Sequence, residues 1–264
     1  MELAPLIEIE NLHFSYKKNS VLQGVDFTMY EGEVVSLLGP NGCGKSTLIR
    51  LILGLLEGKG EIKLHGKNLK RYSHKEIAQH IAYIPQYHNV PFNYSVLDMV
   101  LMGRISKLGL FGSPSLHDVQ KAKESLARVG IEHLSHRPFG QLSGGQKQLV
   151  LLARALAQEV NFFIMDEPVN GLDYGNQIRL LELIVSLSSE GYTFLKTTHY
   201  PDHALLVSSC VVVLNEGKIV ADGAPEAVIN SKMIAAIYGV ESQIIDYASH
   251  KRCIPTFKTQ ERKV

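Results

Sequence analysis

Nine consecutive residues constrain this 264-residue chain more than any others: Gly39-Pro40-Asn41-Gly42-Cys43-Gly44-Lys45-Ser46-Thr47. An apolar run over 33–38 precedes them and reads as a buried strand. An apolar helical pattern over 45–56 follows. A strand that turns into a helix through glycines leaves successive backbone N–H groups converging at the positive end of that helix, a cradle for phosphate oxygens. The spacing Gly39-x-x-x-x-Gly44-Lys45-Ser46 is the Walker A pattern. In it Lys45 would reach the β- and γ-phosphates, the Ser46 hydroxyl would hold Mg²⁺, and Thr47 would touch the α-phosphate. Cys43, inside the loop, reads as a small space-filler rather than a nucleophile. The loop alone does not separate kinases, GTPases and ATPases.

A second segment fits the first. In Phe162-Phe163-Ile164-Met165-Asp166-Glu167, four apolar residues end in two carboxylates at a strand terminus. Asp166 suits Mg²⁺ coordination through water. Glu167 is one residue on and faces another direction, as suits a general base that orients the attacking water.

Between and around these motifs the chain changes character twice. Up to about residue 86 it is strand-rich. Ile7, Ile9, Leu12 and Phe14 are spaced like a half-buried strand, Val25, Phe27 and Met29 alternate before a Glu31-Gly32 turn, and 61–64 and 79–85 read as further strands. The stretch 87–159 reads as an inserted helical lobe. Ser95 caps a helix over 96–104, Ser115-Leu116-His117-Asp118 resembles a capping box opening a helix to about 129, and 145–158 is strongly apolar. The last third alternates again: strand 161–165, helix 176–189, strand 193–197, helix 201–208 and a hairpin of 211–214 with 218–221. Such alternation implies an α/β fold around a parallel sheet covered on both faces. The expected division is one domain over 1–240, with a core from 1–86 and 160–240, a helical subdomain over 87–159 and a C-terminal tail over 241–264.

Net charge is +1, so charge gives no ground for a nucleic-acid partner. The basic residues His250, Lys251, Arg252, Lys258, Arg262 and Lys263 read as a solvated tail. The three cysteines have no disulfide or zinc spacing, which suits a reducing cytosol. No signal-peptide pattern is present, and the longest apolar stretches, near 149–157 and 210–214, are too short to span a bilayer. Membrane spans would have to come from another chain.

Leu142-Ser143-Gly144-Gly145-Gln146 completes a set of motifs. With it the chain resembles an ATP-binding-cassette (ABC) ATPase from about Ile7 to Val240. The resemblance implies a P-loop NTPase (RecA-like) core, an antiparallel β subdomain and an inserted ABC-specific α-helical subdomain. Tyr16 matches the aromatic that stacks on adenine. Gln86 matches the glutamine that touches Mg²⁺ and water, and His199 the switch histidine that contacts the γ-phosphate. Ser143, Gly144, Gly145 and Gln146 match the segment that completes the ATP site of the opposite subunit. Asp173, in Asn170-Gly171-Leu172-Asp173, matches a loop that crosses the dimer, though many members read Ser-Ala-Leu-Asp there. ATP and Mg²⁺ are the implied cofactors, and a second copy of the chain the implied partner. His199 and His203 are four apart, but the sequence offers no third metal ligand near them.

The segment Pro91 to Arg104 and the run Thr198-His199-Tyr200-Pro201-Asp202-His203-Ala204 are similar to ATPases of metal-chelate importers, whose cargo is siderophore-bound iron, haem or cobalamin, or in some systems molybdate or tungstate. This resemblance implies a peripheral subunit on the cytoplasmic face of the inner membrane. It would work with transmembrane permease subunits and, indirectly, a substrate-binding protein. Tyr87, Phe92 and Tyr94 would help build a groove for a short permease helix. The rival reading is a soluble single-cassette ATPase for iron–sulfur cluster assembly.

Overall fold

Alternating and continuous apolar runs part into different sheets. In the computed structural model, which describes residues 4–86, 93–108, 112–247 and 250–256, the chain opens with β1 (Pro5–Tyr16), β2 (Asn19–Tyr30), the fully buried β3 (Val34–Leu38) and α1 (Lys45–Ile52). Then come β4 (Lys59–Leu64), β5 (Lys67–Asn68), α2 (His74–Ile77) and β6 (Ile81–Ile84). Three helices follow: α3 (Val96–Leu101), α4 (Leu116–Arg128) and α5 (Gly144–Ala157). The chain returns through β7 (Phe162–Met165), α6 (Tyr174–Ser189), β8 (Thr193–Thr198), α7 (Pro201–Val207), β9 (Cys210–Asn215) and β10 (Lys218–Gly223). It ends with α8 (Pro225–Val228), α9 (Ser231–Tyr238), β11 (Ser242–Tyr247) and β12 (His250–Pro255).

The strands with alternating patterns form a four-stranded antiparallel sheet, β2-β1-β4-β5. The mostly apolar runs of β3, β6, β7 and β9 join β8 and β10 in a six-stranded sheet, β10-β9-β3-β8-β7-β6, in which every neighbouring pair is parallel except β10 with β9. Both faces of its inner strands β3, β8 and β7 are covered, so both sides of these strands are buried. Along β7, Phe162 and Ile164 pack with α1 and the antiparallel sheet, while Phe163 and Met165 pack with α5 and α6. A third core joins Leu38, α7 and α9.

Several sequence expectations shift at element ends. The helix expected over 45–56 stops at Ile52, because Gly54 adopts φ 67° and its N–H turns back to the Leu51 carbonyl. The helix expected through Arg104 stops at Leu101 and tightens into a 3₁₀ turn over Met102–Lys107. There Gly103 lies against the backbone of α5, where an added Cβ would stand 2.1 Å from the Arg154 carbonyl oxygen. Buried Arg104 donates to Asp118 at 2.9 Å, to the Ala157 carbonyl at 2.7 Å and to Glu159 at 2.6 Å, tying this turn to α4 and the end of α5. Hydrogen bonds from Ser115, with Arg104 beside it, hold the Asp118 carboxyl well below its ordinary range. The C-terminal segment is not a solvated tail where it is described: His250, Lys251 and Arg252 belong to β12, with Lys251 and Arg252 half-buried. Lys258, Arg262 and Lys263 lie outside the described residues.

One buried group opposes this packing. Lys196, central in β8, is 1% exposed and has no hydrogen-bond acceptor among the described residues. Burial pushes its ammonium down to about 7 from the ordinary 10.5. Between those values the unfolded chain holds the proton and the folded chain does not, so stability rises with pH across that window. Lys196→Met should therefore stabilise the protein at pH 7 by on the order of 2 kcal/mol, and the gain should fade toward pH 10.5. Thermal melts of both proteins across that range check it, and equal melting points at every pH would contradict it.

Candidate active site

Four parallel strands end at one edge of the sheet, and each hands a functional side chain to the same place. The register pairs Leu38 of β3 with Thr198 of β8, Met165 of β7 with Lys196 of β8, and Ile84 of β6 with Met165 of β7. The residues just beyond are therefore neighbours: the loop from Gly39, then Gln86, Asp166 with Glu167, and His199. Crevices outside the carboxyl ends of parallel strands are where such sheets bind ligands. Here a cleft of about 650 Å³ is lined by Tyr16, Asn41, Gly42, Gly44, Lys45, Ser46, Thr47, Gln86, Glu167, Asn170 and His199, with Val21.

The phosphate loop is held from behind. A Cβ on Gly39 would stand 2.2 Å from the Leu214 carbonyl oxygen and 2.8 Å from the Cys43 sulfur, so only glycine lets the loop leave β3 beside β9. Gly44 takes φ 114°, which favours glycine, and starts α1. Lys45 is buried and donates to the carbonyls of Gly39 at 2.8 Å and Pro40 at 3.0 Å. Ser46 is exposed and lines the cleft. Tyr16 reaches the rim from β1, 41% exposed, with its ring edge-on to Phe14.

The two carboxylates differ as their sequence positions suggest. Asp166 is 7% exposed and accepts from the Thr197 hydroxyl at 2.7 Å. The same Thr197 oxygen accepts the Glu167 N–H at 2.7 Å. Glu167 sits at φ 45°, a left-handed conformation uncommon for a side-chain-bearing residue. Its carboxylate is ringed by donors: Gln86 Nε2 at 3.0 Å and Asn170 Nδ2 at 3.2 Å on one oxygen, His199 Nδ1 at 3.4 Å and Lys45 Nζ at 3.9 Å on the other. A carboxylate fixed in this way can accept a proton from a water molecule placed beyond it. Ser46, Gln86 and Asp166 offer only oxygen or amide groups, a donor set that suits a hard divalent cation such as Mg²⁺.

Ser143, Gly144, Gly145, Gln146 and Asp173 do not line this cleft. They form a second locale at the start of α5. Ser143 and Gln146 make a capping box, with the Ser143 hydroxyl accepting the Gln146 N–H and the Gln146 side chain accepting the Ser143 N–H. Gly145 lies so close to α6 that a Cβ would stand 2.6 Å from the Asn176 side chain. Asp173 caps α6, accepting from the Asn176 backbone and side chain at 2.9 and 2.6 Å. Ser143 and Gly144 are exposed.

Two contacts escaped the sequence reading. Thr197 joins Asp166 to the Glu167 backbone, and Asn170 holds Glu167. The Thr197 contact follows from the parallel register, since Met165 opposite Lys196 sets Asp166 beside Thr197. His199 and His203 both contact the Tyr200 ring, at centroid distances of 4.1 and 4.8 Å from it. Tyr94 packs against the helical core, and Tyr87 and Phe92 lie outside the described residues.

Cys43 is buried at the back of the loop, and burial pushes its thiol up, partly offset by Lys45. Alkylation of Cys43 should be slow at neutral pH and faster as pH rises. The modified protein should lose nucleotide affinity, and bound nucleotide should protect the thiol. Peptide mass spectrometry alongside nucleotide titration measures both. Unimpaired binding after complete modification at Cys43 would contradict this.

Comparison with known proteins agrees with this arrangement. The family model described as ABC transporter matches residues 22–170. The molybdate import ATP-binding protein MolC of Haemophilus influenzae is 37% identical, covering 88% of this chain and 87% of its own. The ferric enterobactin transport ATP-binding protein FepC of Escherichia coli K12 is 36% identical, covering 90% of this chain and 88% of its own. A solved chain of a transporter described as of metal-chelate type, in an inward-facing conformation, superposes with a TM-score of 0.86 at 34% identity, over 97% of this chain and 99% of that one. The chain belongs to the ABC transporter family, as one of the ATP-binding subunits that hydrolyse ATP to drive transport.

Proposed function

We propose that this chain energises an importer whose cargo is a metal chelate or a molybdate-like oxyanion, with Glu167 as the base of its ATPase reaction. The observation that carries the reading is the convergence of the phosphate loop, Gln86, Glu167 and His199 on one cleft. The relatives named for molybdate and ferric enterobactin transport point to the cargo class and favour it over iron–sulfur assembly.

ATP enters with its adenine against Tyr16 and its phosphates along the backbone of Gly39 to Thr47. Lys45 exchanges the Gly39 and Pro40 carbonyls for phosphate oxygens. Ser46, Gln86 and Asp166 would hold Mg²⁺, which would supply positive charge to offset that of the phosphates. Glu167 accepts a proton from the attacking water as that water's oxygen bonds to the γ-phosphorus and the bond to the ADP oxygen breaks. His199 contacts the γ-phosphate. Ser143, Gly144, Gly145 and Gln146 of a second copy, with its Asp173 loop, close over the same ATP, so that two sites form in a symmetric dimer.

The core of 1–86 and 160–240 carries the phosphate machinery, and the helical subdomain of 87–159 carries the closing face. Two adjoining hollows of about 310 and 620 Å³ lie where these regions meet. Leu53, Leu55, Tyr83 and Met102 line one, and Met102, Ile105 and Leu108 the other. Leu55 and Ile105 are 57% and 61% exposed there. This half-apolar groove suits a short helix of a permease subunit at the cytoplasmic face of the inner membrane. A binding protein on the far side would deliver the cargo.

Glu167→Gln should bind ATP with wild-type affinity and lose about 10²-fold or more in turnover. Undiminished turnover would remove Glu167 from the role of base. Purification of the native protein in mild detergent should recover a multi-span membrane protein in near-equal amount. Recovery with cluster-assembly proteins alone would overturn the importer reading.

A further inference from the structure

The residues after β10 build a unit against the back of the ATP site. Ile234 and Tyr238 of α9, Ile244 of β11 and Cys253 of β12 share one core with Leu38, the residue before the phosphate loop, and with Ala204 and Leu205 of α7. Among the described residues, one hydrogen bond ties the hairpin of β11 and β12 to α7: the Asp202 carboxylate accepts the Cys253 backbone N–H at 2.7 Å, half-buried. The hydroxyl of Tyr238, buried and without a partner in hydrogen-bond geometry among the described residues, faces the backbone of Gly39 and the Cys43 thiol.

Helix α7 matters because of where it starts. Pro201, its first residue, follows His199 by two positions. The His199 ring lies tilted against Tyr200 at a centroid distance of 4.1 Å, and Tyr200 lies tilted against His203 at 4.8 Å, His203 being buried in the first turn of α7. The His199 ring is thus linked through Tyr200 to the first turn of α7, which carries Asp202 and its hairpin contact. A mobile first turn would move the His199 ring away from Glu167.

We propose that the C-terminal hairpin is a positioning element for ATP hydrolysis, holding the switch histidine in place through the Asp202–Cys253 contact on α7. The contact touches no reacting atom and acts through His199. The inference rests on the ATPase reading above.

The test uses the full-length protein with Asp202→Ala and Asp202→Asn. Asparagine keeps a carbonyl oxygen to accept the Cys253 N–H and loses only the charge. Asp202→Ala should lower kcat about tenfold with KM for ATP within about twofold, while Asp202→Asn restores most of the rate. Melting curves confirm that both variants are folded at the assay temperature. A folded Asp202→Ala with wild-type kcat overturns the proposal. So does an equal loss in both variants, which would assign the effect to charge at the helix start. A wild-type protein without ATP turnover would instead sink the ATPase reading, and this inference with it.

Discussion

The parallel register of β3, β8, β7 and β6 is the constraint on which the site depends. Because these strands run the same way and end together, residues from distant parts of the sequence arrive at one edge of the sheet without further folding. Gln86 and Glu167 are 81 positions apart and meet at 3.0 Å. A parallel sheet needs a crossover between each pair of strands, and those crossovers supply the helices that bury both of its faces. The same feature explains why β3 and β7 are fully buried along their length, and why residues just after them come together at the candidate site.

The site is assembled under tension that the surrounding structure maintains. Glu167 is held at φ 45° by the Thr197 hydroxyl on its N–H, while four donors surround its carboxylate. Lys45 spends its ammonium on the loop carbonyls and lies 3.9 Å from Glu167. In the proposed reaction, Lys45 would leave the loop carbonyls for the phosphates. Fixed dipoles and charges around a reacting centre contribute because they need no reorganisation during the reaction. Asp166 and Glu167 are adjacent in sequence yet differ in surroundings: one is bonded to a buried threonine, the other faces the cleft.

Much of this was legible in the sequence, and for definite reasons. The phosphate loop, the apolar strand ending in Asp166-Glu167 and the Ser115 capping box are local patterns whose geometry follows from a few residues. Element ends were less legible, because they depend on partners far away. Gly103 meets the α5 backbone and Arg104 is drawn to Asp118 and Glu159, which end α3 early, and no local signal encodes either. Thr197 and Asn170 went unnoticed as supports of the carboxylates because their roles exist only once the strands are paired. The C-terminal hairpin was missed because its basic residues resemble a solvated tail. Its hold on α7 lies in a backbone amide, which sequence does not distinguish.

The proposed function requires two copies of this chain to close around ATP, each supplying Ser143, Gly144, Gly145 and Gln146 to the other's phosphate loop. The most direct measurement is the solution mass of the Glu167→Gln protein by sedimentation, with and without Mg²⁺ and ATP. The proposed dimer predicts a single-chain mass of 29.3 kDa without nucleotide and twice that with it, the dimer being lost when Ser143 is replaced by a bulky residue. A mass that stays at one chain at saturating ATP would contradict it.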